Sequence, residues 1–169
     1  MRLAVLTIVL LAALLTIAVS VARVCIPPAW SPSEPLDLDA PPNVLTRYKL
    51  SRVSRNPALC ASVLEDADMS YRRLPDEATG PSCGLFDAVA IERTASEVGQ
   101  PFALTCRSAV SLALWEKHTV APAAERHFGV PVQRIEHFGS YACRNVYGGP
   151  DATRSRHATA EAFDVAGFV

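Results

Sequence analysis

The residues best suited to chemistry lie between Gly139 and Asp164, where a histidine and an aspartate are seven residues apart. The imidazole of His157 and the carboxylate of Asp164 are both side chains that bind zinc. On a straight helix the two residues would be about 10 Å apart, and on a straight strand they would point to opposite faces. A shared metal site therefore requires a turn between them, followed by a strand from about Ala162.

Asp164 stands among apolar neighbours, so its charge is costly if it is buried without a partner. A metal would provide that partner, and so would an arginine such as Arg144 or Arg156. A competing interpretation is an ordinary solvated strand preceded by a surface histidine, because one histidine and one aspartate are weak evidence for a metal site.

The wider pattern is Ser155-x-His157-x-x-Ala160-x-Ala162-x-Asp164. It resembles the Ser-x-His-x-x-Gly-x-Ala-x-Asp signature of the zinc D-alanyl-D-alanine peptidase superfamily, which cleaves peptidoglycan. The resemblance implies that His157 and Asp164 bind zinc. Ser155 is expected to hydrogen-bond a metal ligand or a nearby carbonyl. Ala160 departs from the usual glycine, and we expect alanine to fit only if its φ stays negative.

The upstream run Ser140-Tyr-Ala-Cys-Arg-Asn145 resembles the Ser-Gly-Tyr-Arg-Ser element of the same superfamily. There the arginine contacts substrate and assists catalysis, which implies a catalytic role for Arg144. Its planar guanidinium could clamp a carboxylate with two hydrogen bonds. The alternative for Arg144 is a structural salt bridge.

A closer resemblance, to the extensin-like protein family and its C-terminal domain, covers nearly everything after the leader. The matching pieces include Cys83-Gly84, Thr105-Cys106, Pro122 to Ala124, Gly139 to Asn145 and Ser155 to Phe168. The family's activity is inferred from its likeness to the zinc peptidases. In those enzymes a third ligand and a general base lie further downstream, so we expect the C-terminal part of the domain to be missing here. The chain is then either a fragment or catalytically inactive.

Three further histidines are possible ligands, and each has a simpler explanation. His118 and His127 are near helix ends, where a positive charge suits the helix dipole. His137 is nearest in sequence to the proposed site, but an isolated histidine is usually structural.

The chain has 169 residues with 16 basic and 17 acidic side chains, which fits one domain and gives no basic surface for nucleic acid. Leu3 to Ala22 is a run of 20 uncharged residues, long enough to span a bilayer. We interpret residues 1–24 as a signal anchor or signal peptide. Residues 25–47 are Pro-rich and are predicted to be an extended linker. Residues 48–169 form the domain.

Five cysteines agree with export to an oxidising compartment. Apart from Cys25, four lie in the domain, and these allow three pairings among which the sequence does not choose. The four are Cys60, Cys83, Cys106 and Cys143. Buried free thiols are the alternative.

Apolar periodicity predicts helices over residues 57–67, 106–118 and 123–128, with Pro122 ending or kinking the second and Gly129 stopping the third. Strands are predicted at 132–138 and 162–168, and a loop at Asp76 to Ser82. Helices come before strands, so the fold class is α+β, with N-terminal helices packed on a small antiparallel sheet.

Together these features predict zinc-dependent hydrolysis of peptidoglycan stem peptides on the periplasmic side of the bacterial inner membrane. The partners would be peptidoglycan and, through the leader, the inner membrane. The rival hypothesis is a non-catalytic, disulfide-stabilised domain that binds peptidoglycan or another envelope component without a metal.

Overall fold

The computed structural model describes residues 2–169, apart from the side chains of residues 3, 18 and 21–25. Five α-helices are named here in chain order: α1 (Arg2–Cys25), α2 (Thr46–Val53), α3 (Pro57–Glu65), α4 (Cys106–Trp115) and α5 (Ala121–Phe128). Seven strands follow the same convention: β1 (Ser70–Arg73), β2 (Glu77–Gly80), β3 (Cys83–Leu85), β4 (Ala88–Arg93), β5 (Glu97–Thr105), β6 (Ile135–Gly139) and β7 (Asp164–Phe168).

The strands form three antiparallel sheets, β1-β4-β5, β2-β3 and β6-β7, so the predicted α+β class is confirmed. The order of elements differs from the prediction, because five strands stand between α3 and α4. The predicted loop at Asp76 to Ser82 is wrong over β2, which pairs with β3. Pro81 and Ser82 form only the turn between the two strands.

The helix boundaries follow from local chemistry. Asn56 caps α3 by accepting a hydrogen bond from the Leu59 N–H at 3.1 Å. Thr105 caps α4 by accepting from the Ser108 N–H at 3.3 Å. Gly129 ends α5 in the left-handed conformation at φ 70°. Pro122 lies in the first turn of α5, which α4 reaches through a π-helical turn at Glu116–Val120, so the predicted break is a change of helix type.

The hydrophobic core lies where α3 and α4 pack on the central sheet. Its most buried large side chains include Val63, Leu64, Ile91, Leu104 and Val110. These residues come from both helices and from β4 and β5, so the helices cover one face of the sheet. The strand β5 ends at Thr105 and leads directly into α4, and this fixes where α4 begins.

The Pro-rich segment before α2 packs on the domain over part of its length. Leu36 and Leu38 are buried in the core. The Lys49 ammonium donates to the carbonyl of Pro28 at 2.8 Å and to that of Pro35 at 3.1 Å. Burial of this ammonium lowers the pKa of Lys49. Residues 28–38 are thus held against α2 by side-chain contacts.

The helix α1 exposes its described side chains, including Leu10 and Leu14. Counting only residues that the structure describes, no helix is long and apolar enough to cross a membrane.

The four domain cysteines form two disulfides, as the sequence led us to expect. Cys60 of α3 is bonded to Cys106 of α4, with their Cα atoms 6.1 Å apart. Cys83 of β3 is bonded to Cys143, with Cα atoms 5.5 Å apart. The first bridge lies in the core, and the second anchors the segment that follows β6.

Replacing both Cys60 and Cys106 by alanine should lower the free energy of unfolding by about 3–4 kcal/mol, because the bridge closes a loop across 46 positions of sequence. Urea denaturation followed by circular dichroism measures the change. Cys25→Ser is the matched control, since Cys25 belongs to neither bridge. An unchanged midpoint in the double variant would contradict the prediction.

The Asp87 carboxylate lies beside the core disulfide, within 4.8 Å of both sulfur atoms. The sulfurs of Cys60 and Cys106 are bonded to each other, so this group of three is not a metal site. Asp87 also has a positive φ of 45°. Burial raises the pKa of Asp87, which means that the folded state disfavours its charged form.

Asp87→Asn should therefore stabilise the protein near pH 7. A raised folded-state pKa makes the wild type lose stability as the pH rises from the ordinary value towards that pKa. Asparagine tolerates the positive φ, so the backbone is preserved. The melting temperature measured from pH 3 to pH 7 should be higher for the variant at pH 7 and similar for both proteins at pH 3. If the melting temperatures of the two proteins differ by the same amount at every pH, the charge of Asp87 is not the cause of the difference.

Candidate functional site

His157 and Asp164 converge in the folded protein, with Nε2 of the histidine 3.3 Å from Oδ2 of the aspartate. His157 lies in a short 3-10 helix, Arg156–Thr159, and Asp164 is the first residue of β7. The imidazole is 14% exposed and the carboxylate 52% exposed, so the pair opens to solvent from the aspartate side. The turn that the spacing required lies between them.

That turn is made by Ala160, which has a φ of 54°. The expectation that alanine would keep a negative φ here is wrong. The Ala160 N–H donates to the His157 carbonyl at 3.2 Å, and its carbonyl accepts from the Thr105 N–H at 2.9 Å. Ala160 is fully buried, and these contacts offset the roughly 1–2 kcal/mol that a left-handed L-residue costs.

The second ring nitrogen of His157 lies 3.0 Å from the carbonyl oxygen of Ser140. A carbonyl only accepts, so Nδ1 carries the proton and donates it. In the neutral ring, Nε2 then presents a lone pair to the Asp164 carboxylate. Nε2 and Oδ2, which lie 3.3 Å apart, can then share a proton or a metal ion placed between them.

The same distance fits zinc. Ligands at about 2.0–2.1 Å from a tetrahedral zinc ion lie roughly 3.3–3.4 Å from each other. Zinc-binding histidines commonly donate their other ring N–H to a carbonyl, as His157 does to Ser140. The pair is therefore suited to be an imidazolium–carboxylate ion pair or two corners of a zinc site.

The two sequence elements that carry the resemblance are paired through their backbones. The Ser155 N–H donates to the Arg144 carbonyl at 3.1 Å, and the Ala142 N–H donates to the His157 carbonyl at 3.1 Å. The Ser155 hydroxyl accepts from the His157 N–H at 3.3 Å, so this serine positions the histidine backbone. The disulfide at Cys143 fixes the same stretch to β3.

The side chain of Arg144 is exposed and makes no hydrogen bond or ion pair with any residue that the structure describes. A structural salt bridge for Arg144 is thus absent from the described part of the chain. Asp164 does not pair with an arginine either. Arg156 pairs with Glu161 at 2.7 Å, and the partner of Asp164 is His157.

The remaining histidines are held by backbone groups or lie elsewhere. Nε2 of His137 contacts the carbonyls of Val98 at 2.9 Å and Gln100 at 3.0 Å, while its Nδ1 accepts from the Gly139 N–H. Both ring nitrogens are used, so His137 is structural. His118 contacts the Leu38 carbonyl at 2.9 Å. Among the residues described, no third histidine, cysteine or carboxylate joins His157 and Asp164.

Sequence reasoning missed a cleft of about 500 Å³ that lies between α4 and the segment from Arg156 to Val165. Arg107, Ser108, Ser111 and Trp115 line it from α4, and Glu161 and Phe163 line it from the opposite side. Arg107 lies in the helix predicted over residues 106–118 and carries no local signal of a cleft. The residues on the opposite wall of the cleft are about fifty positions further along the chain, so no local sequence pattern could have revealed the cleft.

These features define a disulfide-stabilised α+β domain with a histidine–aspartate pair at the edge of a two-stranded sheet. Residues 58–169 match the family described as Extensin-like protein C-terminus, and the chain belongs to that family. Comparison with curated proteins and with solved structures finds no match.

The backbone at Ala160 gives a test of the turn. Ala160→Gly should change the free energy of unfolding by less than about 1 kcal/mol, because relief of the positive φ offsets the entropy of glycine and the lost methyl burial. Ala160→Val should cost more than about 2 kcal/mol, because a β-branched residue fits poorly at this φ in a fully buried position. Chemical denaturation of both variants measures the difference, and equal losses would contradict it.

Proposed function

We propose that this domain is a zinc-dependent amide hydrolase of the bacterial envelope that acts on peptidoglycan stem peptides. The observation that carries the proposal is the His157–Asp164 pair. Its donor atoms are 3.3 Å apart, and the histidine is held in the metal-binding tautomer by Ser140. The likeness of the Ser155–Asp164 pattern to the zinc D-alanyl-D-alanine peptidases supports the same reaction.

His157 and Asp164 would hold the metal, as two of the three protein ligands that a catalytic zinc site normally has. Zinc lowers the pKa of bound water towards 7 and polarises a carbonyl. Ser155 positions His157 through its backbone N–H. Arg144 is exposed and unpaired among the described residues, so its guanidinium is free to bind a peptide carboxylate or a developing oxyanion.

The location follows from the leader. Arg2 and Arg23 flank 20 uncharged residues, Leu3 to Ala22, which suit a signal peptide or an N-terminal anchor. Two disulfides in the domain suit an oxidising compartment. We therefore place the domain on the periplasmic side of the inner membrane, with the peptidoglycan layer as its partner.

A second candidate is a domain that binds peptidoglycan without cleaving it. The observation that favours it is that no third ligand joins His157 and Asp164 among the described residues. In that case the pair is an imidazolium–carboxylate ion pair that fixes the turn at Ala160. Binding to insoluble peptidoglycan would then survive the loss of His157.

The test is zinc stoichiometry of the purified full chain in detergent, measured by atomic emission after dialysis against dilute zinc. We expect close to one zinc ion per chain for the wild type, and at least a tenfold weaker affinity for His157→Ala and Asp164→Asn, since each removes a ligand. His127→Ala is the matched control, because His127 is exposed and on α5.

Two outcomes would reject the peptidase proposal. One is a wild type without stoichiometric zinc, and the other is zinc binding that His157→Ala leaves unchanged. If the wild type and His157→Ala both sediment with peptidoglycan and neither binds zinc, the binding-domain candidate replaces it.

A further inference from the structure

We propose that the cleft between α4 and β7 is a subsite for a peptide with a free carboxylate, and that Arg107 is the residue that recognises it. The inference deepens the proposed function and rests on it for the class of ligand, a stem peptide of peptidoglycan. The arginine of the cleft is distinct from Arg144, which lies in the upstream element.

The cleft has two walls of different character. Arg107, Ser108 and Ser111 project from one side of α4, with Trp115 one turn further along. Leu104, Leu112 and Phe163 supply apolar surface. A volume of about 500 Å³ suits a few amino-acid residues, and a mixture of apolar surface with a few polar groups is typical of ligand sites.

The charges in the cleft do not balance. Arg156 and Glu161 neutralise each other through a 2.7 Å ion pair, and Glu161 also accepts from the Thr159 hydroxyl at 3.2 Å. Arg107 is exposed and has no side-chain partner among the residues described. One unpaired guanidinium therefore remains at the cleft, and a carboxylate is the group that it binds with two hydrogen bonds.

Ser108 adds a second polar contact beside Arg107. Its hydroxyl oxygen accepts from the Thr105 hydroxyl at 2.9 Å, which leaves the proton of Ser108 free to be donated to a ligand. The Ser111 hydroxyl instead donates to the Arg107 carbonyl at 3.0 Å and stays on the helix. Arg107 and Ser108 thus offer neighbouring donors to one carboxylate.

The cleft and the His157–Asp164 pair are built from the same two segments of chain. Arg156 lines the cleft and directly precedes His157, and Phe163 lines the cleft and directly precedes Asp164. Neither member of the pair lines the cleft: Asp164 lies between Phe163 and Val165, which do, so on an extended segment its side chain points to the other face. The cleft and the pair are thus connected through the backbone segments that they share.

Trp115 gives a direct test, because it lines the cleft and the chain has only one other tryptophan, Trp30. In a Trp30→Phe background of the full chain in detergent, an N-acetylated pentapeptide ending in D-Ala-D-Ala is titrated against Trp115 fluorescence. We expect a saturable change, with affinity about tenfold lower for the C-terminal amide of the same peptide. Arg107→Gln should weaken binding of the acid by a similar factor and leave that of the amide unchanged.

Arg47→Gln is the matched control, since Arg47 is also an exposed helical arginine but lies on α2 and does not line the cleft. The inference is overturned if the acid gives no saturable change, if acid and amide bind equally, or if Arg107→Gln binds the acid as tightly as Arg47→Gln. Zinc analysis of the same samples separates the two proposals. If the acid peptide binds in a carboxylate-dependent way and no zinc is bound, the hydrolase proposal is rejected and the subsite is retained. If zinc is bound and peptide binding does not depend on the carboxylate, the subsite is rejected and the hydrolase proposal is retained.

Discussion

The left-handed turn at Ala160 is the constraint on which the candidate site depends. Without it the chain from His157 would continue away from β7, and the two side chains could not approach to 3.3 Å. An L-residue in this conformation costs roughly 1–2 kcal/mol. It is held here because the Ala160 carbonyl accepts a hydrogen bond from Thr105, at the junction of β5 and α4, in a fully buried position. The core of the domain thus sets the geometry of the pair.

The same junction links the site to the rest of the fold. Thr105 ends β5 and caps α4, and Cys106 joins that helix to α3 through the core disulfide. The second disulfide, from Cys83 to Cys143, fixes the segment after β6, which contains Ser140 and Arg144, to β3. Both segments that carry the site are therefore fastened at a point close to their functional residues. Such support favours a preorganised arrangement over one formed on binding.

The chemistry of the site depends on whether a proton or a metal ion lies between Nε2 of His157 and the carboxylate of Asp164. Because Nδ1–H of His157 donates to the Ser140 carbonyl, Nε2 and the Asp164 carboxylate would repel each other unless a proton or a cation lies between them. The same backbone geometry therefore suits both candidates, a domain that only binds peptidoglycan and a domain that cleaves it. The cleft attracts an anion instead of a cation, because the guanidinium of Arg107 has no partner among the described residues.

Local features of the sequence determined the helix caps, the left-handed stop at Gly129, the α+β class and the need for a turn between His157 and Asp164, because each depends on residues within a few positions of one another. The disulfide pairing, the positive φ of Ala160 and the cleft were decided only by the tertiary structure. Each of these depends on segments tens of residues apart, and the free energy that fixes them comes from burial and long-range hydrogen bonds.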